Sequence, residues 1–341
     1  MILCRGNLPG QEMKLPRRRF LRLAAAAAAL SGAARVESAD AYPSRPVSVI
    51  VPVPAGGQMD SIARIVTERM RARLGQPMII ENVTGASGTL GVGRVARATA
   101  DGYTLLYGAW ATQVVNGAVY DLPYDVVKDF EPIALTSITP WLIAVKHAVP
   151  ANDLRELVIW LQANPDKASA GTSGAGGPGH IGGVLFQKLS DTRFQFVPYR
   201  GMTPAMQDLV SGQIDLMIAD PASAIPQSRA SRIKVFAVTG NTRLAAAPEI
   251  PTVDEAGLPG FYLAPWHGLW APKGTPDAVI LTLNAAVVDA LADPAVRQRL
   301  VDLGSNTPAR EEQTPEALRA FHKGEIQKWW PIIKGANIRA Q

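Results

Sequence analysis

One pattern occurs twice in this 341-residue chain and limits what it can fold into. A short apolar run ends in small residues, and an amphipathic stretch follows within a few positions. The first copy reads VSVIVPVPAGGQMDSIARI over residues 47–65. The second reads KASAGTSGAGGPGHIGGVLFQKL over 167–189. A strand that turns straight into a helix is half of a βαβ unit, whose next strand lies parallel to the first. Further strands are expected at 78–82 (MIIEN), 103–108, 194–201, 214–220 and 233–240. Helices are expected at 60–75, 88–98, 154–165, 203–213, 278–294 and 317–333, and residues 129–147 read as apolar and extended. This alternation predicts α/β architecture with parallel, doubly wound sheets. Two similar lobes, with their glycine loops facing across a cleft, account for the repeat.

The N-terminus has a different character. PRRRFLR (16–22), the alanine-rich run LAAAAAALSGAA (23–34) and ADA at 39–41 have the order of a secretory signal peptide. Arg17 and Arg18 give it a twin-arginine character, with cleavage expected after Ala41 and Met13 a plausible natural start. Residues 1–41 carry seven basic and three acidic residues, whereas the remainder carries 27 and 26. The basic excess therefore belongs to the leader, and no concentrated patch suited to nucleic acid is expected. The only cysteine, Cys4, also lies there, so the mature chain can form no internal disulfide. A periplasmic location follows from this reading.

The glycine loops admit several chemistries. Neither carries the lysine of a phosphate-binding P-loop, and GAGGPG (174–179) matches the dinucleotide fingerprint only in its letters. GTSGA (171–175) approaches a nucleophile elbow, and Ser173, Asp220 and His267 follow in the order of a hydrolase triad. The four histidines, at 147, 180, 267 and 322, form no metal-spaced cluster, so neither metal nor cofactor is expected. The remaining chemistry is an anion seat. A helix N-terminus offers unpaired N–H groups and the positive end of a dipole, and glycine lets a ligand approach that backbone.

The motifs YPSRPVSVIVPVPAGGQMDSIAR, LGQPMIIENVTGASGTLG, ADGYTLLYG and PTVDEAGLPGF…WHGLWAPKGTP resemble the substrate-binding proteins of tripartite tricarboxylate transporters, the Bug family. The resemblance runs from about Tyr42 to the C-terminus. It implies a two-lobed periplasmic-binding-protein (Venus flytrap) fold that closes on a small organic carboxylate. Lobe 1 is expected at 42–144 plus 235–341 and lobe 2 at 145–234, with the hinge in two crossovers near 142–147 and 233–238. The resemblance further implies that Ala55, Gly56, Gly57 and Gln58 seat a carboxylate. Thr172, Ser173, Gly174 and His180 would meet the ligand from the second lobe. Asp60 is expected to be structural, and Asp220 either to reach the ligand's far end or to cap a loop. Trp110 and Ala111, after the third strand, are expected at the ligand, the indole either stacking on a flat apolar group or packing into the lobe core or cleft. The expected partners are membrane permease subunits, with the chain itself a monomer. Delivery to a sensor kinase and ester hydrolysis through Ser173 are the rival functions.

Overall fold

A computed structural model describes residues 42–174 and 176–338. The leader expected at 1–41 lies outside the described residues, as does Ala175 of the elbow-like motif. The described chain is built on two five-stranded sheets. The first has the order β2(Met78–Asn82), β1(Val47–Val51), β3(Thr104–Ala109), β10(Trp266–Pro272), β4(Phe130–Ile138). The second has the order β7(Gln195–Pro198), β6(Ser169–Thr172), β8(Leu216–Ala219), β5(Leu142–Lys146), β9(Ile233–Val238).

The two orders are the same pattern. In each, the strand before a glycine loop sits second and pairs in parallel with both neighbours: β1 with β2 and β3, β6 with β7 and β8. In each, one antiparallel strand is inserted fourth, β10 in the first sheet and β5 in the second. The sheets are therefore mixed rather than purely parallel. The inserted strand is the one the chain forms on arriving from the other sheet, so it runs against the βαβ succession.

The helices close the layers. α1(Gln58–Leu74) buries Ile62, Ile65, Val66, Met70 and Leu74 at helical spacing and ends on Gly75 in the left-handed conformation. It packs with α7(Asp277–Ala292) and α8(Pro294–Asp302) over one face of the first sheet. The long α9(Pro315–Gly335) lies against β4 on the other face, bringing Trp329 into the core. In the second sheet α4(Pro178–Ser190) follows β6, α5(Met202–Ser211) precedes β8, and α6(Pro221–Arg229) follows it. α2(Thr89–Ala96) and α3(Leu154–Ala163) complete the regular helices longer than one turn.

The apolar stretch 129–147 is two strands in different sheets, broken at Pro140. Residues 142–146 and 233–238 are paired neighbours within the second sheet, so the crossovers lie just outside the stretches expected for them. They are tied together. Trp141 N–H donates to Thr239 Oγ1 (2.8 Å), Thr239 N–H returns to Trp141 O (2.8 Å), and Thr239 Oγ1 donates to Leu263 O (2.6 Å).

Candidate functional site

Each glycine loop leaves the carboxyl end of a parallel strand, the edge at which open α/β sheets bind ligands. After β1 the chain turns through Gly56, whose φ of +88° suits glycine, and Gly57 becomes the N-cap of α1 in extended backbone at φ −77°. No side chain caps this helix. Asp60 holds the turn from behind instead. Its carboxylate accepts from Gly56 N–H, Arg64 Nε and Asn82 Nδ2, each at 2.9 Å. Burial would raise the Asp60 pKa, but these hydrogen bonds and the Arg64 charge prevail and hold it at about 2. Asp60 is thus structural, its anion spent inside the loop.

The second loop is shaped by His180. Gly176 N–H donates to His180 Nδ1 (3.0 Å), and the ring packs edge-on against Phe196. Burial lowers the His180 pKa, which favours the neutral ring that this acceptor role requires. Gly177 is the N-cap of α4, again without a capping side chain, and Pro178 fills the first helical position.

Between these loops lies a cavity of about 590 Å³. Gly56, Gly57, Gln58 and Ser61 line it from the first lobe, and Ser173, Pro178, Asp220 and Ser223 from the second. Trp141, at the crossover, borders it too; the residue is 6% exposed and its Nε1 has no hydrogen-bond partner among the described residues. The N-terminal ends of four helices meet this cavity: α1, α4, α5 through Met202 and Thr203, and α6 through Ala222 and Ser223. At α1, α4 and α5, which have no side-chain cap, the free N–H groups and dipoles suit an anion without any cationic side chain.

Of the expected site residues, Gly56, Gly57, Gln58, Ser173 and Asp220 come together on the cavity. Gln58 is engaged elsewhere as well, since its Nε2 donates to Leu303 O at 2.9 Å, and Leu303 itself is a lining residue. Ala55 is exposed beside the first loop, Thr172 is buried at the end of β6, and Gly174 sits in the second loop at φ +107°. His180 orders the loop rather than lining the cavity.

Trp110 does not line the cavity. It is 1% exposed and packs edge-on against Trp329, ring centroids 5.1 Å apart, because the chain coils into helical turns directly after it. The half-buried Ala111 begins those turns and does not line the cavity. The triad order is not realised in space either. His267 Nδ1 pairs with Ser137 Oγ (2.9 Å) inside the first lobe. Asp220 caps α6, accepting from Ser223 N–H (2.9 Å) and Ser223 Oγ (2.7 Å). Sequence reasoning missed Ser61, Met202, Thr203, Ser223 and Leu303. A glycine before a helix start, as at Gly201, was the available signal for Met202 and Thr203.

Two mixed α/β lobes with glycine-capped helix mouths around an interlobe cavity define the class of two-lobed solute-binding proteins. The sequence profile described as the tripartite tricarboxylate transporter family receptor matches residues 62–338, and the chain belongs to that family. A protein from Agrobacterium vitis, known by its place in the TAR-I ttuE-ttuC' intergenic region, is 36% identical over 319 residues, covering 94% of this chain and 92% of its own. Protein BugT of Bordetella pertussis is 31% identical over 315 residues, covering 91% and 96%. Among solved structures, MatC from Rhodopseudomonas palustris with bound malate is 38% identical with a TM-score of 0.75, covering 86% of this chain and 100% of that one. Rpa4515 from R. palustris with adipate is 30% identical with a TM-score of 0.77, covering 87% and 99%. The family is one of solute-binding receptors, and these two structures hold carboxylates.

Proposed function

We propose that this chain captures a small organic carboxylate in the interlobe cavity and delivers it to the permease subunits of a tripartite tricarboxylate-type transporter. One observation carries the reading: helix N-termini capped only by glycine backbone converge on a cavity walled by both lobes. The carboxylate sits at the Gly57 mouth, and Ser173 donates to the ligand from the second lobe. The protein works as a monomer in the periplasm, exported by its leader and cleaved after Ala41. The lobes rotate about the ties at Trp141 and Thr239 when a ligand bridges the two loops. No chemical step is part of this function. Neither His267, paired with Ser137, nor His180, committed to Gly176, is free to serve Ser173 as a base.

A thermal-shift screen against mono- and dicarboxylates tests the proposal, because a ligand that binds only the folded state raises its melting temperature. At least one carboxylate should stabilise the wild type. A flat response to all of them, or ester hydrolysis that disappears in Ser173→Ala, would contradict it.

A further inference from the structure

The cavity wall is not uniform in charge. Three of its four helix mouths, at Gly57, Gly177 and Gly201, have no side-chain cap. The fourth, α6, brings its own anion. Asp220 Oδ1 accepts from Ser223 N–H and Oδ2 from Ser223 Oγ, while the residue remains half-exposed on the cavity. A carboxylate has about four acceptor positions, so two hydrogen bonds leave room for more. No Lys, Arg or His is among the described residues lining the cavity. Two carboxylates brought together without a cation between them repel, and an ammonium group in the same place is attracted and donates.

We propose that Asp220 is a specificity-determining residue that selects a zwitterionic amino-carboxylate. The ligand's carboxylate occupies the glycine-capped mouths, and its ammonium group donates to Asp220. The selection is by difference: a dicarboxylate of the same length gains the same seat but sets its second anion against Asp220. This assignment rests on the carboxylate-binding reading above and names the ligand class for that cavity.

Calorimetry at low ionic strength tests it with ω-amino acids, dicarboxylates and plain monocarboxylates of matched chain lengths. At the best length the amino acid should bind the wild type at least about tenfold more tightly than the dicarboxylate. In Asp220→Asn the amide oxygen still caps α6, so the fold is retained. The charge is lost, and the preference should collapse, with the amino acid weakened and the dicarboxylate strengthened. A dicarboxylate that binds the wild type more tightly than any amino acid overturns the proposal, as does a preference unchanged in Asp220→Asn. If that dicarboxylate binding is abolished by Gly57→Val, the carboxylate seat stands and only the role of Asp220 falls. If no acid of any class binds, both fall.

Discussion

The two glycine loops spell similar motifs for opposite reasons. At Gly57 a Cβ would meet nothing nearer than Pro54 O at 3.9 Å, so the side chain is absent where the protein has space to spare. In the second loop a Cβ on Gly177 would lie 2.8 Å from Ser173 Oγ, and one on Gly179 would lie 2.9 Å from Ile218 O. There Gly177 leaves room for the Ser173 hydroxyl, and Gly179 lets α4 lie close on β8. The first loop is held from behind by a carboxylate, Asp60, and the second by an imidazole, His180. The first loop keeps open space around its uncapped helix mouth, whereas the second combines an uncapped mouth with tight packing behind it. Glycine content alone cannot separate these cases.

Substitutions break the comparison most directly. Gly57→Val has an accessible backbone conformation and open space around its Cβ, so melting temperature should hold while carboxylate affinity falls about a hundredfold, or about 2.7 kcal/mol. Calorimetry on the folded variant checks this; unchanged affinity would put the seat elsewhere. Gly179→Ala should do the reverse at the level of the fold. Pushing a methyl against a backbone carbonyl is overpacking, expected to cost about 1–3 kcal/mol in urea unfolding. A variant as stable as the wild type would show that α4 can shift outward freely.

Acid should separate the loops next. The His180 pKa is lowered by burial on folding, so its contribution is complete above pH 6.5 and declines as pH falls below that value. Protonation turns Nδ1 from acceptor to donor and removes the Gly176 bond, worth about 1 kcal/mol. The Asp60 pKa is likewise lowered, to about 2, so its contribution persists above pH 3.8 and disappears only as pH falls through about 2. In an amide NMR titration Gly176 should therefore respond at higher pH than Gly56. Simultaneous movement of both would contradict separate anchoring. The smallest effect is expected for Ser173→Ala, about 0.5–1.5 kcal/mol of carboxylate affinity by calorimetry, the net worth of one neutral hydrogen bond. No change at all would remove Ser173 from the ligand's partners.

The sequence revealed local succession better than direction. The strand at 78–82 and the first helix to Gly75 were readable because period, β-branching and a left-handed glycine all act within a few residues. Strand β5 was readable as extended but not as antiparallel, and β10 was not among the expected strands, since nothing local to LIAVK or WHGLWAP encodes which neighbour it meets. Helix α6 was not among the expected helices: Pro226 lies inside it, and Pro221 occupies the first helical position, where its missing N–H costs nothing. Trp110 shows a further limit. Its place at a strand end was correct, but the turns after it direct the ring to Trp329 on the last helix, a contact with no local signature. The cavity was half legible for the same reason: the glycine mouths announce themselves, whereas Trp141 and Leu303 join by tertiary approach.

The central claim is that the uncapped mouth at Gly57 holds the ligand's carboxylate. An amide NMR titration of the wild type tests it most directly, using an acid that raises the melting temperature. The account predicts that the largest shifts fall on the amides of Gly57, Gln58 and Met59, with a second group at Ser173 to Gly179 across the cleft. Saturable binding that leaves the residue 57–59 amides unmoved would contradict it.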